Sequence, residues 1–256
     1  MIPKIIHYCW LSSDPIPVDL QNYMNSWKKQ LPDYVFIKWD FNRFPKDKSI
    51  WVSEAFNNKK YAFAADYIRL YALYNYGGIY LDMDVEVLKP FDEFLQLNTM
   101  LSYENYNPIH SLEVAAFGVA KNESWIGECL KYYDDRHFVN SDGSYNMNVL
   151  PAIVADCIKK AGFNIITVSC LEEAKSIKGN NIPVFMPEYF SPKNYLTGKL
   201  IISENTFAIH HFAASWMPWY YRVENKFWHK LGLKNWKILL RFHNLFKYGT
   251  IKSITK

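Results

Sequence analysis

Cysteine is scarce. The chain has four in 256 residues, Cys9, Cys129, Cys157 and Cys170, scattered with no pair at metal-ligand spacing and nothing resembling a disulfide framework. They read as reduced core residues, which agrees with a reducing compartment. Long apolar runs are missing as well: none approaches the roughly 18 residues that a membrane-spanning helix needs. The opening MIPKIIHYCWL is too short and too aromatic for a secretory leader, so the location expected from sequence is the cytoplasm. No internal repeat, low-complexity tract, P-loop or G-x-G-x-x-G is present.

What is there in quantity is apolar and aromatic. Half the residues are hydrophobic and 18% are aromatic, far from the signature of disorder, so a sizeable core is expected. The length suits one large α/β domain, read as residues 1–220, with a smaller helical extension at 221–256. Net charge is +4 but uneven. Residues 217–256 carry nine Lys or Arg against Glu224 alone, which leaves 20 basic and 24 acidic residues in positions 1–216. A mildly acidic body disfavours nucleic acid as a partner.

Periodicity gives the order of elements. KIIHYCWL (4–11) reads as a strand, residues 20–31 recur at helical spacing, and YVFIKW (34–39) reads as a second strand. This β-α-β opening argues for a mostly parallel sheet flanked by helices. A helix over 59–76 stops at Gly77-Gly78 and leads straight into a strand, IYLDMDVEVL. Further strands are expected at 114–120, at NIITV and across LIISENTFAIHHF, with helices near 124–135 and 147–161. From about residue 224, apolar and basic residues alternate as in an amphipathic basic helix or helix pair.

Within IYLDMDVEVL, strand alternation puts Tyr80, Asp82, Asp84 and Glu86 on one side and Ile79, Leu81, Met83, Val85 and Val87 on the other. Acids following a buried run would sit at the carboxyl end of a sheet strand, where open α/β sheets bind ligands. Two carboxylates there with no adjacent Lys or Arg in sequence suit a hard divalent cation, Mn²⁺ or Mg²⁺, which commonly completes its shell with water and substrate phosphate. An edge strand whose acids simply meet water is the competing reading of an isolated D-x-D.

The whole stretch FAADYIRLYALYNYGGIYLDMDVEVLKPF resembles the core segment of the DXD-motif glycosyltransferases of family 32, which is similar to that of the large clostridial glucosylating toxins. KIIHYCWL and AIHHFAASW resemble the first strand and the C-terminal His and Ser-Trp element of that family; residues 95–200 match less recognisably. The resemblance implies a GT-A-type, Rossmann-like nucleotide-sugar-binding domain and a retaining transfer of a hexose or N-acetylhexosamine from a nucleotide diphosphate sugar, UDP favoured. The acceptor it implies is a glycan or lipid-linked glycan, in surface polysaccharide or oligosaccharide synthesis. Site roles follow from it. Asp66 and Arg69 would meet the sugar hydroxyls, Asp82 and Asp84 the metal and ribose-diphosphate in an unassigned division, and Tyr80 the sugar or ribose. Trp10 would stack on the base, Asn148 would reach the donor, and Ser215 and Trp216 would donate hydrogen bonds to the diphosphate. One of His210 and His211 would complete the metal shell. For most of these an ordinary role competes: an intrahelical ion pair for Asp66–Arg69, a core aromatic for Trp10 and Tyr80, a helix start near Asn146 and Asn148. His7 reads as a satisfied core histidine.

Two other classes are kept open: a metal-dependent nucleotidyl or phosphoryl transferase with Glu86 as its third acid, and a non-catalytic carbohydrate-binding protein. The basic tail suggests peripheral docking on an anionic membrane, at the inner face of the cell membrane, against a solvated face on a packed helix pair. Co-sedimentation of the full chain and of residues 1–220 with anionic liposomes separates the two, equal behaviour discarding the membrane.

Overall fold

A computed structural model of the chain describes residues 1–105 and 111–213. Its elements are β1 (Ile5–Cys9), α1 (Val18–Gln30), β2 (Val35–Trp39), α2 (Ile50–Asn57), α3 (Tyr61–Tyr76), β3 (Gly78–Leu81) and β4 (Val85–Val87), then β5 (Thr99–Tyr103) and β6 (Leu112–Val119). After them come α4 (Ser124–Tyr133), α5 (Leu150–Lys160), β7 (Asn164–Val168), α6 (Leu171–Ser176), β8 (Asn181–Phe185) and β9 (Ala208–His210). Seven strands form one sheet in the order β2-β1-β3-β6-β5-β8-β7. β6 runs antiparallel to both neighbours while the other pairings are parallel, which is the mixed, mostly parallel sheet expected.

Alternation along β3 sorts the core into two layers. Tyr80 joins the side packed by α2, α3, α4 and α5, with Trp39, Trp51 and Trp125 fully buried there. Ile79 and Leu81 join the opposite side with Met83, Val85 and Val87, against α1, α6 and a cluster of Phe91, Phe94, Phe185 and Phe190. The apolar residues read from sequence are all buried, and so is Tyr80 on the other face, while Asp82, Asp84 and Glu86 keep part of their surface exposed.

The antiparallel step at β6 decides what surrounds the end of β3. Leu81 pairs with Ala116, so the carboxyl end of β3 lies beside the amino end of β6, where Glu113 and Val114 stand. A second, two-stranded sheet pairs β4 with β9 and sets Val85 opposite His210. Helix α3 delivers the chain to β3 through Gly77 at φ 65° and Gly78 at φ 107°, both in the region that glycine enters freely. A Cβ on Gly78 would stand 2.7 Å from the Ile5 carbonyl, so this turn needs glycine sterically as well.

Three expectations change. IYLDMDVEVL is two strands, not one: the chain turns at Asp82–Asp84, where the Val85 N–H donates to the Asp82 carbonyl at 3.0 Å. Only Ala208–His210 of LIISENTFAIHHF is strand, since the polar SENT segment turns and leaves a short pairing with β4. Helices α2 and α6 and strands β5 and β8 are not expected from sequence; β5 and β8 are short buried strands without polar alternation. The helices expected from residue 224, the 220/221 boundary, Ser215 and Trp216 lie outside the described residues.

His7 in β1 is fully buried. Trp39 Nε1 donates to its Nδ1 at 3.0 Å, and Nε2 stands 2.8 Å from the Gly77 carbonyl, which assigns the ring proton to Nε2. Burial, opposed by the Gly77 bond, pulls its pKa down to about 4. Because the unfolded chain takes up that proton first, stability supplied by neutral His7 is complete above pH 6.5 and shrinks as pH falls toward 4. The wild-type advantage over His7→Gln in urea unfolding should decline across that window by up to about 3 kcal/mol. An advantage independent of pH would contradict this.

Candidate active site

Asp82 lies just beyond β3 and is tied down by its backbone, whose N–H donates to the Ala115 carbonyl of β6 at 2.7 Å. Its carboxylate keeps 30% exposure and is held from below by three contacts. Tyr80 donates to Oδ1 at 3.0 Å, and the Arg69 guanidinium reaches Oδ1 at 3.3 Å and Oδ2 at 3.4 Å. Arg69 also binds Asp66 at 3.1 Å, one turn back on α3, donates to the Val114 carbonyl at 2.8 Å, and lies 4.5 Å over the Tyr80 ring. The adjacent cation missing from the local sequence thus arrives from a helix thirteen residues away in the chain. Burial lifts the Asp66 carboxyl to about 6 even with Arg69 pulling it down. Burial likewise raises Asp82, against Arg69 and with Asp84 adding to the rise.

Asp84 is fixed on the other side of the turn. Its Oδ2 accepts the Ala213 N–H at 2.7 Å and its carbonyl accepts the His211 N–H at 3.0 Å. Phe212 makes that return possible by adopting φ 53°, with its ring 4.0 Å from the His210 ring. His210 points its Nε2 at Asp84 Oδ1, 3.6 Å away, and bonds Glu113 Oε2 through Nδ1 at 3.0 Å. Burial disfavours the imidazolium, yet Glu113 and Asp84 outweigh it and hold the His210 pKa at about 10. A metal would have to displace that proton, so ligation there releases H⁺.

Asp82, Asp84 and His210 therefore offer ligand atoms that all lie within 4.8 Å of one another. Two carboxylates and one imidazole fit Mn²⁺ or Mg²⁺, with remaining positions for water and phosphate oxygens. His211 is not brought to this group: its Nε2 bonds Glu86 at 2.8 Å and its ring stacks on Tyr23 at 4.3 Å. Trp10 follows β1, which is parallel to β3, so it lies at the same end of the sheet, its Nε1 donating to the Asp14 carbonyl at 2.8 Å. Asn148, just before α5, donates through Nδ2 to the Tyr132 hydroxyl at 3.1 Å. The sequence reading missed Glu113. A glutamate inside the otherwise apolar LEVAAFGV was the available signal.

Residues 17–105, which include Asp66, Arg69, Tyr80, Asp82 and Asp84, match the family model described as "Glycosyltransferase sugar-binding region containing DXD motif". Residues 17–105 are thus similar to that region. The "Inositol phosphoceramide mannosyltransferase 1" of Schizosaccharomyces pombe is 33% identical over 107 residues, 39% of this chain and 33% of that protein. The "Uncharacterized glycosyltransferase L373" of Acanthamoeba polyphaga mimivirus is 25% identical over 227 residues, 85% of each chain. A solved glycosyltransferase involved in the glycosylation of the major capsid of PBCV-1 aligns over 88% of this chain and 98% of that one, at 12% identity and a TM-score of 0.45. The chain spans 27% to 33% of the length of the fungal mannosyltransferases it matches. Within the matched stretch, Arg69 is the counter-charge for two carboxylates at once.

Removing that charge while keeping a side chain of similar length, as in Arg69→Met, should lower unfolding stability at pH 7 by about 3 kcal/mol, because it strands two partly buried acids. Urea denaturation reads the change, and a loss below about 1 kcal/mol would contradict the pairing described.

Proposed function

We propose that this protein is a metal-dependent glycosyltransferase that moves a hexose from a nucleotide diphosphate sugar to a hydroxyl of a glycan or lipid-linked acceptor. The observation that carries the reading is the convergence of Asp82, Asp84 and His210 at the end of β3. A bound divalent cation would supply electrostatic stabilisation to the departing diphosphate. Asp82, Asp84 and His210 would hold it, Mn²⁺ or Mg²⁺, through oxygen and imidazole nitrogen.

Around that position the chain's own groups set orientation. Arg69 holds Asp82 and Asp66 in fixed rotamers, so both present defined acceptor oxygens toward sugar hydroxyls. Trp10, at the same sheet end, is the aromatic face for a nucleobase, UDP being favoured. Asp66 is already engaged by Arg69 and is a poor candidate nucleophile, which fits same-face attack with retention better than double displacement. The relatives named as mannosyltransferases make mannose the first hexose to test, and an inositol phosphoceramide headgroup a first acceptor. The nucleotidyl-transfer alternative loses its third acid, since Glu86 is bound by His211 outside the Asp82–Asp84–His210 group.

Purified enzyme with Mn²⁺ and a panel of nucleotide sugars should release nucleoside diphosphate from one donor. Asp84→Asn, which can keep the bond from Ala213, should lose that release by at least about 100-fold while melting near the wild-type temperature. Wild-type turnover in this variant would remove the proposal, and pyrophosphate release from a nucleoside triphosphate would move it to the nucleotidyl-transfer class.

A further inference from the structure

We infer that Glu113 is a positioning residue that turns one imidazole nitrogen of His210 toward the cation held by Asp82 and Asp84; the inference rests on the cation-site reading above. Glu113 has no exposure at all, yet an ionised carboxylate in the interior is unfavourable by several kcal/mol unless both oxygens are satisfied. Both are. Oε1 accepts the Ala115 N–H at 2.7 Å, and Oε2 meets His210 Nδ1 at 3.0 Å. Ser102 of β5 pairs opposite Glu113, where the register between β5 and β6 shifts, so the backbone locally departs from a regular ladder around this side chain.

The consequence for His210 is a matter of tautomer. With Nδ1 committed to donating to Glu113, the lone pair of the neutral ring can only be on Nε2, the nitrogen facing Asp84 Oδ1 at 3.6 Å. Metal-ligating histidines are commonly fixed through their second nitrogen by a carboxylate, and losing that partner typically weakens metal binding 10- to 100-fold. Rigidity comes from Ala115, whose N–H grips Glu113 and whose carbonyl grips the Asp82 N–H at 2.7 Å. One peptide segment of β6 therefore fixes the orientation of Asp82 and, through Glu113, of His210. His211 lacks this arrangement, as its Nε2 is spent on Glu86.

The test uses the full chain and Mn²⁺ alone, following free Mn²⁺ by electron paramagnetic resonance, with thermal melting of every variant. Asp84→Asn and His210→Ala should each weaken Mn²⁺ binding, and Glu113→Gln should weaken it about 10- to 100-fold. The double variant Glu113→Gln/His210→Ala should bind no more weakly than His210→Ala, because Glu113 acts through that ring. Should Glu113→Gln melt too low to assay, Glu113→Asp keeps the charge but withdraws it from Nδ1 and should show the same non-additivity with His210→Ala. Wild-type Mn²⁺ affinity in the Glu113 variants, or losses that add to that of His210→Ala, overturns the positioning role while leaving the cation site standing. Failure of the wild type to take up Mn²⁺, or undiminished binding by Asp84→Asn, overturns the cation-site reading and this inference with it.

Discussion

The Arg69 guanidinium, bonded at once to Asp66, Asp82 and the Val114 carbonyl, is the interaction on which this site depends. Four acids, Asp82, Asp84, Glu104 and Glu113, crowd the place where β3 runs out beside β6, and ionised carboxylates are costly to hold there without partners. Arg69 offsets the charge from the helix side and His210 offsets it from the opposite side. Asp82 keeps part of its side chain exposed, and negative charge there is what the proposed divalent cation would neutralise.

Topology makes the convergence possible. A fully parallel sheet would have put the carboxyl ends of two strands side by side, each followed by a loop. The antiparallel β6 instead brings the start of a strand against the end of β3, so Glu113, Val114 and Ala115 serve the site from rigid backbone. The small β4–β9 sheet does the same for His210, and the left-handed turn at Phe212 returns the chain to cap Asp84. Three separate stretches of sequence, 66–69, 113–115 and 210–213, thus meet around a turn of three residues.

Local features were legible in the sequence, and long-range ones were not. The α3 helix, its glycine stop and the apolar face of β3 followed from periodicity and from the conformational freedom of glycine, all properties of neighbouring residues. The D-x-D acids were legible too, although alternation alone suggested one continuous strand where the chain in fact turns. Arg69 could be paired with Asp66 from helical spacing, but its reach to Asp82 depends on how α3 lies over β3. Glu113 is marked in the sequence as a lone acid in an apolar strand, but its partner His210 lies 97 residues away and nothing in spacing links the two. The choice between His210 and His211 likewise needed the pairing of β9 with β4, which decides which imidazole faces the acids. In the described residues no helix is long and apolar enough to cross a membrane.

The central claim is that a divalent cation sits between Asp82, Asp84 and His210. Anomalous diffraction at the manganese edge, from crystals of the full chain grown with Mn²⁺ and a nucleoside diphosphate, tests it most directly. The account predicts a single strong peak within about 2.0 to 2.4 Å of one oxygen from each aspartate and of the His210 Nε2, with diphosphate oxygens completing the shell. A peak elsewhere, or none with the nucleotide bound and both aspartates turned from it, would contradict it.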